Sequence, residues 1–236
     1  MTAQWNRCLS YACGDFFCLL CDDDIYAPTF VEELLSLSEK YPSADVFRAR
    51  AKVIDENGVI CDIYPSSPEY ETVYDYMWQK WCGARRQTVS EFMIRVSRAR
   101  TVGGYISLPR AWGSDSLSVF SFGMENGIVS TISILVAFRS SGENISFSHK
   151  NDAMEKIRAA KLYREKCYVL ISKCNNVNLK VVLEKYEPQD YNLRVFYILT
   201  NCTLSSFIKA AFSCHIGLKL LIKAWLGRLP RLLHAV

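Results

Sequence analysis

The segment Cys18–Phe30, CLLCDDDIYAPTF, decides the fold, because in it an apolar run stops at three consecutive aspartates and a new element follows. The run FFCLLC, residues 16–21, has the length of a strand and no polar interruption, which predicts a central strand covered on both faces. Residues 29–41, TFVEELLSLSEKY, place their leucines on one side of a helix, with Pro28 in its first turn. The aspartates are therefore predicted to lie in a strand-to-helix loop.

Strands and helices are predicted on both sides of this loop. The predicted elements are a helix over 2–13, two strands in 44–64 around the hairpin signal Glu56-Asn57-Gly58, a helix over 69–81, a strand near 89–99, a helix capped by Ser114 that ends near Gly127, and a β-rich run over 127–139. Helical periodicity dominates after residue 150. We predict an α/β domain over residues 1–149 and a helical C-terminal extension over 150–236.

The composition suits a globular protein. Of 236 residues, 22% are charged, and the net charge is +4. Both signs are mixed through most of the chain, and only the C-terminus is locally basic, which argues against a nucleic-acid binder. No charged leader precedes an apolar core at the N-terminus, so we expect a cytoplasmic protein whose cysteines are reduced. The Cys18-x-x-Cys21 pair is interpreted as small buried side chains, and the three histidines are too dispersed to suggest a metal site.

The aspartate loop suits a metal that holds a diphosphate. Ligands of open α/β sheets bind beyond the carboxyl ends of the strands, where Asp22, Asp23 and Asp24 are predicted to lie. Magnesium takes one or two protein carboxylates and completes its shell with phosphate and water. A solvated surface loop is the alternative interpretation.

A second carboxylate, Asp115, follows a Gly-rich loop and opens a predicted helix. The positive end of the helix dipole would favour its ionised form. An ordinary carboxylate at a helix start is the alternative. The combination with the aspartate loop is what makes Asp115 a candidate catalytic residue.

These segments together resemble family 2 glycosyltransferases. WNRCLSYACGDFFCLLCDDDIYAPTFVEELL, residues 5–35, is similar to the family's central segment, in which a helix ending in Ala-x-Gly-Asp/Glu leads to an apolar strand, an Asp-rich motif and a helix after a proline. GGYISLPRAWGSD, residues 103–115, resembles the later block, in which a Gly-Gly-aromatic turn precedes an acidic residue at a helix start. Residues 44–60 and FRSSGENIS, residues 138–146, are similar to bacterial members that build surface polysaccharides. The resemblance covers roughly residues 1–150.

The resemblance implies a GT-A-like, Rossmann-like mixed sheet flanked by helices. It also implies an enzyme that transfers a hexosyl or related sugar, with inversion, from a nucleotide-sugar donor to a glycan or lipid-linked acceptor. The Asp-rich motif falls on Asp22, Asp23 and Asp24. By this carry-over Asp23 and Asp24 bind a divalent metal, Mg²⁺ or Mn²⁺, and Asp22 and Asp23 contact the donor.

The catalytic-base position of the family matches Asp115, although Ser114 stands where the family usually has Glu. Gly103 and Gly104 would let the backbone approach the donor or acceptor, with a tight turn as the alternative. Trp112 would wall the sugar site, with a core tryptophan as the alternative. Arg139 could face the diphosphate or be a structural arginine.

Complete family members begin with further strands that bind the nucleotide. This sequence begins at the helix before the Asp-rich strand, so the resemblance implies a domain that is truncated at its N-terminus. Two other functions stay open. One is a non-catalytic remnant or binding module, and the other is a metal-dependent nucleotidyltransferase, for which Asp115 would matter little.

The C-terminal segment predicts an amphipathic basic helix. Projected as one helix, residues 207–229 place Lys209, Lys219 and Lys223 in one sector. The apolar sector opposite them contains Phe207, Ala211, Leu218, Leu221, Ile222, Trp225 and Leu229. This pattern suits peripheral contact with the anionic inner face of the cytoplasmic membrane, and the lysines interrupt the segment too often for a membrane-spanning helix. A helix packed onto the domain is the alternative.

Overall fold

The computed structural model describes residues 1–140 and 152–233, with side chains up to residue 228. The strands are β1 Phe16–Cys18, β2 Ile25–Tyr26, β3 Val46–Ile54, β4 Ile60–Ile63, β5 Tyr70–Glu71, β6 Phe92–Arg95 and β7 Ile128–Arg139. The helices are α1 Thr2–Tyr11, α2 Phe30–Lys40, α3 Val73–Trp81, α4 Val96–Thr101, α5 Ser114–Phe122, α6 Ala153–Ser172, α7 Val177–Asn201, α8 Leu204–Ser213 and α9 Leu218–Leu233, with a 3₁₀ turn at Pro109–Ala111.

The strands form one mixed sheet. Its order is β1-β6-β3-β7-β2, with β4 added to β3 and β5 added to β7. Only β3 and β7 among these pairs run parallel, and they form the centre of the sheet. The predicted hairpin over residues 44–64 is confirmed as β3 and β4, which pair antiparallel.

Helices cover both faces of the sheet. One core cluster joins α1, α3, α5 and α6 and includes Tyr76, Phe120 and Tyr163, all fully buried. The other lies under α2 and includes Phe30 and Leu34. Because α6 packs into the same cluster as α3 and α5, the first C-terminal helix is built onto the α/β part. The predicted boundary near His149 lies outside the described residues.

The first loop and its flanks differ from the prediction. Because β2 stands between the aspartates and α2, the aspartates lie in a loop between two strands and not in a strand-to-helix loop. The strand β1 is not central, because it pairs only with β6 in the described sheet and its three residues are half-buried. The apolar run leaves the sheet after Cys18, and Leu20 is 49% exposed. Pro28 precedes α2 rather than lying in its first turn, and Leu35 is exposed. The run was misinterpreted because an uninterrupted apolar sequence does not say how many neighbours a strand has.

The helix of Asp115 also starts differently. Its N-cap is Gly113 rather than Ser114, and it ends at Phe122 rather than near Gly127. The hydroxyl of Ser114 accepts a hydrogen bond from Leu108 N–H at 3.0 Å, so this side chain holds the preceding loop instead of capping the helix.

The C-terminal segment is two helices, not one. Between α8 and α9 the chain turns at Cys214–Gly217, where His215 has a φ of 49°. A single helical projection over residues 207–229 was therefore wrong, because residues on opposite sides of the turn do not share one axis. Leu229 lies outside the residues whose side chains are described. Within the described residues, no helix has both the length and the apolarity needed to cross a membrane.

Candidate active site

The aspartate loop presents two carboxylates and buries the third. Asp22 and Asp23 are exposed, whereas Asp24 is 8% exposed. The two oxygens of Asp24 accept hydrogen bonds from the Ser90 hydroxyl at 2.5 Å and from the backbone N–H of Arg139 at 3.0 Å. Burial raises the pKa of Asp24, and these two hydrogen bonds oppose that rise. Asp24 therefore anchors the loop that displays its two neighbours.

Arg139 holds the same loop from the end of β7. Its side chain donates to the carbonyl oxygen of Asp23 at 3.2 Å and to those of Asp55 and Glu56 at 2.9 and 3.1 Å. The guanidinium thus joins the aspartate loop to the β3–β4 turn. These contacts support the structural interpretation of Arg139.

Asp115 lies in the first turn of α5 and is half-buried. Its Oδ2 accepts a long hydrogen bond of 3.3 Å from the side-chain amide of Gln87. The carbonyl of that amide accepts from the hydroxyl of Tyr76 at 3.0 Å, so Gln87 is itself held in place. The start of α5 and the side-chain amide of Gln87 therefore orient the carboxylate.

One loop brings the two carboxylate segments together. The segment 82–91 connects α3 to β6, and it contains both Gln87, which contacts Asp115, and Ser90, which contacts Asp24. The Cα atoms of Gln87 and Ser90 are at most about 11 Å apart, so both contacts are made from one short stretch of chain. Sequence analysis did not identify Gln87 or Ser90, because nothing local marks a polar loop residue whose partner is distant in the chain.

A buried ion pair fixes this loop. Glu91 is fully buried and accepts from Arg48 Nε at 2.6 Å and from the backbone N–H of Thr88 at 3.0 Å. Arg48 also donates to the carbonyl oxygen of Arg86 at 2.5 Å. Charge-assisted hydrogen bonds therefore hold the loop at Arg86, Thr88 and Glu91.

The Gly-Gly loop is held by its backbone. Gly103 and Gly104 both have positive φ, 84° and 78°, and they end α4. A Cβ on Gly104 would lie 2.4 Å from Oδ1 of Asn6. Asn6 clamps Tyr105, accepting from its N–H at 2.7 Å and donating to its carbonyl at 2.9 Å. Gly104 therefore lets α1 dock against the loop, and a role of either glycine in ligand contact stays a prediction.

Trp112 lies between the α/β part and the C-terminal helices. Its ring stacks on Tyr197 of α7, with centroids 6.1 Å apart, and the ammonium of Lys156 lies 4.5 Å from its centroid. These contacts give the ring a packing role. Its predicted contact with the sugar is not tested by them.

Two cations from different elements approach the start of α5. Arg194 of α7 pairs with Asp190 at 2.5 Å, and a Cβ on Gly113 would lie 3.3 Å from its Nη1. Lys80, in the last turn of α3, is partly buried. Burial lowers the pKa of Lys80 to about 8, and the negative charge of Asp115 opposes this. Lys80 is thus a cation under the electrostatic influence of Asp115 that the sequence analysis did not identify.

A groove of about 900 Å³ lies elsewhere, between α3 and the start of α7. Tyr74, Trp78 and Tyr186 are among its lining residues. None of the predicted site residues lines it, so the groove and the carboxylate site are separate features.

The donor set of the aspartate loop suits a hard divalent cation. The exposed carboxylates of Asp22 and Asp23 make no hydrogen bond to other described side chains, and Asp24 keeps lone pairs beyond its two hydrogen bonds. No cluster of three or more His, Cys, Asp or Glu residues suited to a metal occurs in the described part of the chain. The loop could therefore supply one or two ligands, with the remaining ligands coming from a phosphate and water.

Comparisons with known proteins bear on the fold. No protein-family model matches the chain, and no curated protein matches it in sequence. A crystal structure of S. aureus TarS 1–349 in complex with UDP-GlcNAc matches with a TM-score of 0.53 and 15% identity, over 92% of this chain and 57% of that chain. Two other S. aureus TarS crystal structures match with TM-scores of 0.44, at 16% and 17% identity, over 94% of this chain and 40% and 65% of theirs.

The first match supports the fold class. The chain has a GT-A-like α/β fold, a mixed sheet flanked by helices, as the sequence analysis predicted. At 15% identity the likeness concerns the fold and not the activity. The chain spans a little over half of the length of the TarS 1–349 structure.

Proposed function

We propose that the chain is a glycosyltransferase domain that moves a sugar from a nucleotide-sugar donor to an acceptor hydroxyl, with inversion, in the synthesis of cell-surface polysaccharide. The observation that carries the proposal is the shared loop 82–91, whose Ser90 contacts Asp24 and whose Gln87 contacts Asp115. A transfer site needs a group that binds the leaving diphosphate and a base that activates the acceptor, close to each other. The fold likeness to a protein crystallised with UDP-GlcNAc supports a nucleotide-sugar donor.

Asp115 is the proposed base. Its carboxylate takes the proton of an acceptor hydroxyl while that oxygen forms a bond to the anomeric carbon. The bond from this carbon to the diphosphate oxygen breaks on the opposite face, and the diphosphate leaves with the electron pair. Gln87 keeps the carboxylate in the orientation that accepts the proton.

The aspartate loop is the proposed diphosphate side of the site. Asp23 and Asp24 would hold Mg²⁺ or Mn²⁺, and Asp22 and Asp23 would face the donor. A bound divalent cation supplies charge stabilisation for the departing diphosphate. Ser90 and Arg139 keep the loop in place, and Gly103, Gly104 and Trp112 are proposed to border the sugar.

A glycosyltransferase differs from its alternatives in its dependence on Asp115. A nucleotidyltransferase would release pyrophosphate or transfer a nucleotidyl group, with little dependence on this residue. A non-catalytic remnant would neither bind nor consume a nucleotide sugar. The acceptor, a glycan or a lipid-linked sugar, belongs to the proposal.

The test measures donor binding and donor consumption by the 236-residue chain with a panel of nucleotide sugars and Mn²⁺. Asp115→Asn is expected to lower turnover at least about a hundredfold while leaving the donor Kd within about twofold. Glu32→Gln, which alters a carboxylate in the first turn of α2 outside the site, is the matched control. Retained turnover in Asp115→Asn would contradict the base assignment. A wild-type chain that binds no nucleotide sugar would contradict the proposed function.

A further inference from the structure

The outer face of α8 carries a row of exposed apolar side chains. Leu204, Ile208 and Phe212 are 51%, 47% and 86% exposed. Because they are spaced by four residues, they lie along one side of the helix. Phe212 therefore buries almost none of its ring against the described residues.

The outer face of α9 repeats this pattern. Leu218, Ile222 and Leu226 have the same spacing and are 72%, 52% and 56% exposed. Trp225 beside them is also exposed, although its ring contacts Phe207 of α8 at a centroid distance of 5.6 Å. We call these two sets of three residues the apolar rows.

The inner faces of both helices are already packed. Phe207 and Ala210 of α8 and Ala224 of α9 are buried in one cluster with residues of α6 and α7. Arg228 donates to the carbonyl oxygen of Leu199 at 2.6 Å and fixes α9 against α7. The helices are therefore attached through their inner faces, and the apolar rows face away from the cluster. This replaces the single apolar sector predicted from the sequence.

Lysines line one side of each apolar row. Lys209 follows Ile208, whereas Lys219 and Lys223 follow Leu218 and Ile222, and all three lysines are exposed. Residues displaced by one position lie in the neighbouring row of the same helix surface. The sequence has no Asp or Glu after Asp190, so this region is uniformly basic.

We infer that α8 and α9 form a docking surface for an anionic lipid layer. A partner that matches both the lysines and the apolar rows must have a negatively charged outer layer and an apolar interior. A membrane with anionic headgroups has this arrangement. The apolar rows enter the headgroup region in the plane of the membrane, and the lysines contact phosphates. Trp225 occupies the boundary between the two, where its ring is favoured. This inference does not depend on the proposed transfer reaction.

The test is flotation of the 236-residue chain with vesicles, one set of phosphatidylcholine and one of equal parts phosphatidylcholine and phosphatidylglycerol. We expect binding to the anionic vesicles that weakens with added salt, and little binding to the neutral ones. Phe212→Ser with Ile222→Ser should lower the partition coefficient at least about tenfold, because each removes an inserting side chain. Lys209→Gln, Lys219→Gln and Lys223→Gln together should lower it on the order of a hundredfold on anionic vesicles.

Matched controls use exposed apolar residues outside the rows. Leu193→Ser on α7 and Ile132→Ser on β7 remove side chains that are 63% and 71% exposed, and they should leave vesicle binding unchanged. Circular dichroism confirms that every variant is folded. Absence of binding to anionic vesicles, or equal loss in the controls, would overturn the inference. So would a dimer in light scattering that Phe212→Ser dissociates while vesicle binding is unaffected, since the rows would then bind a second copy.

Discussion

The two carboxylate segments of the candidate site are held in opposite ways. In the aspartate loop the carboxylate of Asp24 is itself the anchor, bonded to Ser90 and to the backbone of Arg139. In the loop before α5, backbone N–H groups are held by side chains of other segments, and the candidate carboxylate does not serve as an anchor. Tyr105 is bonded to Asn6, and the N–H groups of the following segment donate to Ser114 and Ser118.

The comparison separates two kinds of residue. Holding residues fix a loop through their hydrogen bonds, whereas displayed residues are exposed or weakly bonded and are available to a ligand. Asp24 holds while Asp22 and Asp23 are exposed, and Ser114 holds while Asp115 has one long hydrogen bond. Substituting a holding residue should therefore lower stability, whereas substituting its displayed neighbour should mainly affect ligand binding or turnover. The following predictions test this separation, from the largest expected change in free energy to the smallest.

Asp24→Ala should cost stability as well as donor binding. It removes the carboxylate that accepts from the buried Ser90 hydroxyl and from the backbone N–H of Arg139, which should lower the free energy of unfolding by about 3 kcal/mol. Asp23→Ala, at the exposed neighbour, should stay within about 0.5 kcal/mol and lose the Mn²⁺ dependence of donor binding. Urea unfolding and donor titration with and without a chelator measure both effects. Equal destabilisation by the two variants would break the distinction between holding and displayed aspartates.

Gly104→Ala should loosen the second segment through its backbone. The new Cβ would meet Oδ1 of Asn6, and φ of 78° is unfavourable for alanine, so we expect a loss of about 2 kcal/mol. Gly58→Ala is the matched control, since Gly58 also has positive φ but no atom within 4 Å of its added Cβ. It should cost about 1 kcal/mol. Thermal unfolding of both variants tests whether the close approach of Asn6 adds to the backbone strain.

Lys80→Met should stabilise the chain at neutral pH. The folded chain disfavours the charged ammonium, whose pKa falls from 10.5 to about 8, so removing it should add about 2 kcal/mol at pH 7 after allowance for partial exposure. Lys185→Met, an exposed lysine, should change stability by less than about 0.5 kcal/mol. A neutral or destabilising Lys80→Met would show that this lysine has a strong partner.

The same substitution has a pH signature. Because the pKa of Lys80 is lower in the folded chain, the unfolded chain binds more protons between pH 8 and 10.5, and the destabilisation by Lys80 is lost as the pH rises through that window. The stability difference between Lys80→Met and wild type should therefore be constant below pH 8 and vanish above pH 10.5. Urea midpoints of both proteins across this range measure it.

Gln87→Leu should have the smallest effect on turnover, although it also removes the acceptor of the buried Tyr76 hydroxyl. It removes one neutral hydrogen-bond donor from Asp115, which is worth about 1 kcal/mol and corresponds to a roughly fivefold lower turnover. Gln79→Leu, a change in α3 with no contact to Asp115, is the control. An effect as large as that of Asp115→Asn would mean that the amide touches the reacting atoms rather than positioning the base.

Part of this architecture could be predicted because its signals are local. The hairpin around Gly58 follows from turn chemistry, and the start of a helix near Asp115 follows from the residues beside it. The central position assigned to FFCLLC was wrong, since a strand's neighbours are distant in sequence. The C-terminal projection was wrong because the turn at His215 and Gly217 interrupts the helix without a proline or a charged break.

The sequence by itself determined which residues are available for chemistry: an aspartate triplet after an apolar run, a carboxylate at a helix start, and a basic segment without acidic residues. Only the tertiary structure decided their roles. Asp24 became an anchor through partners 66 and 115 residues away, and Gln87 met Asp115 across 28 residues. Periodicity and turn chemistry act over a few positions, whereas these hydrogen bonds form only after the sheet has brought distant loops together.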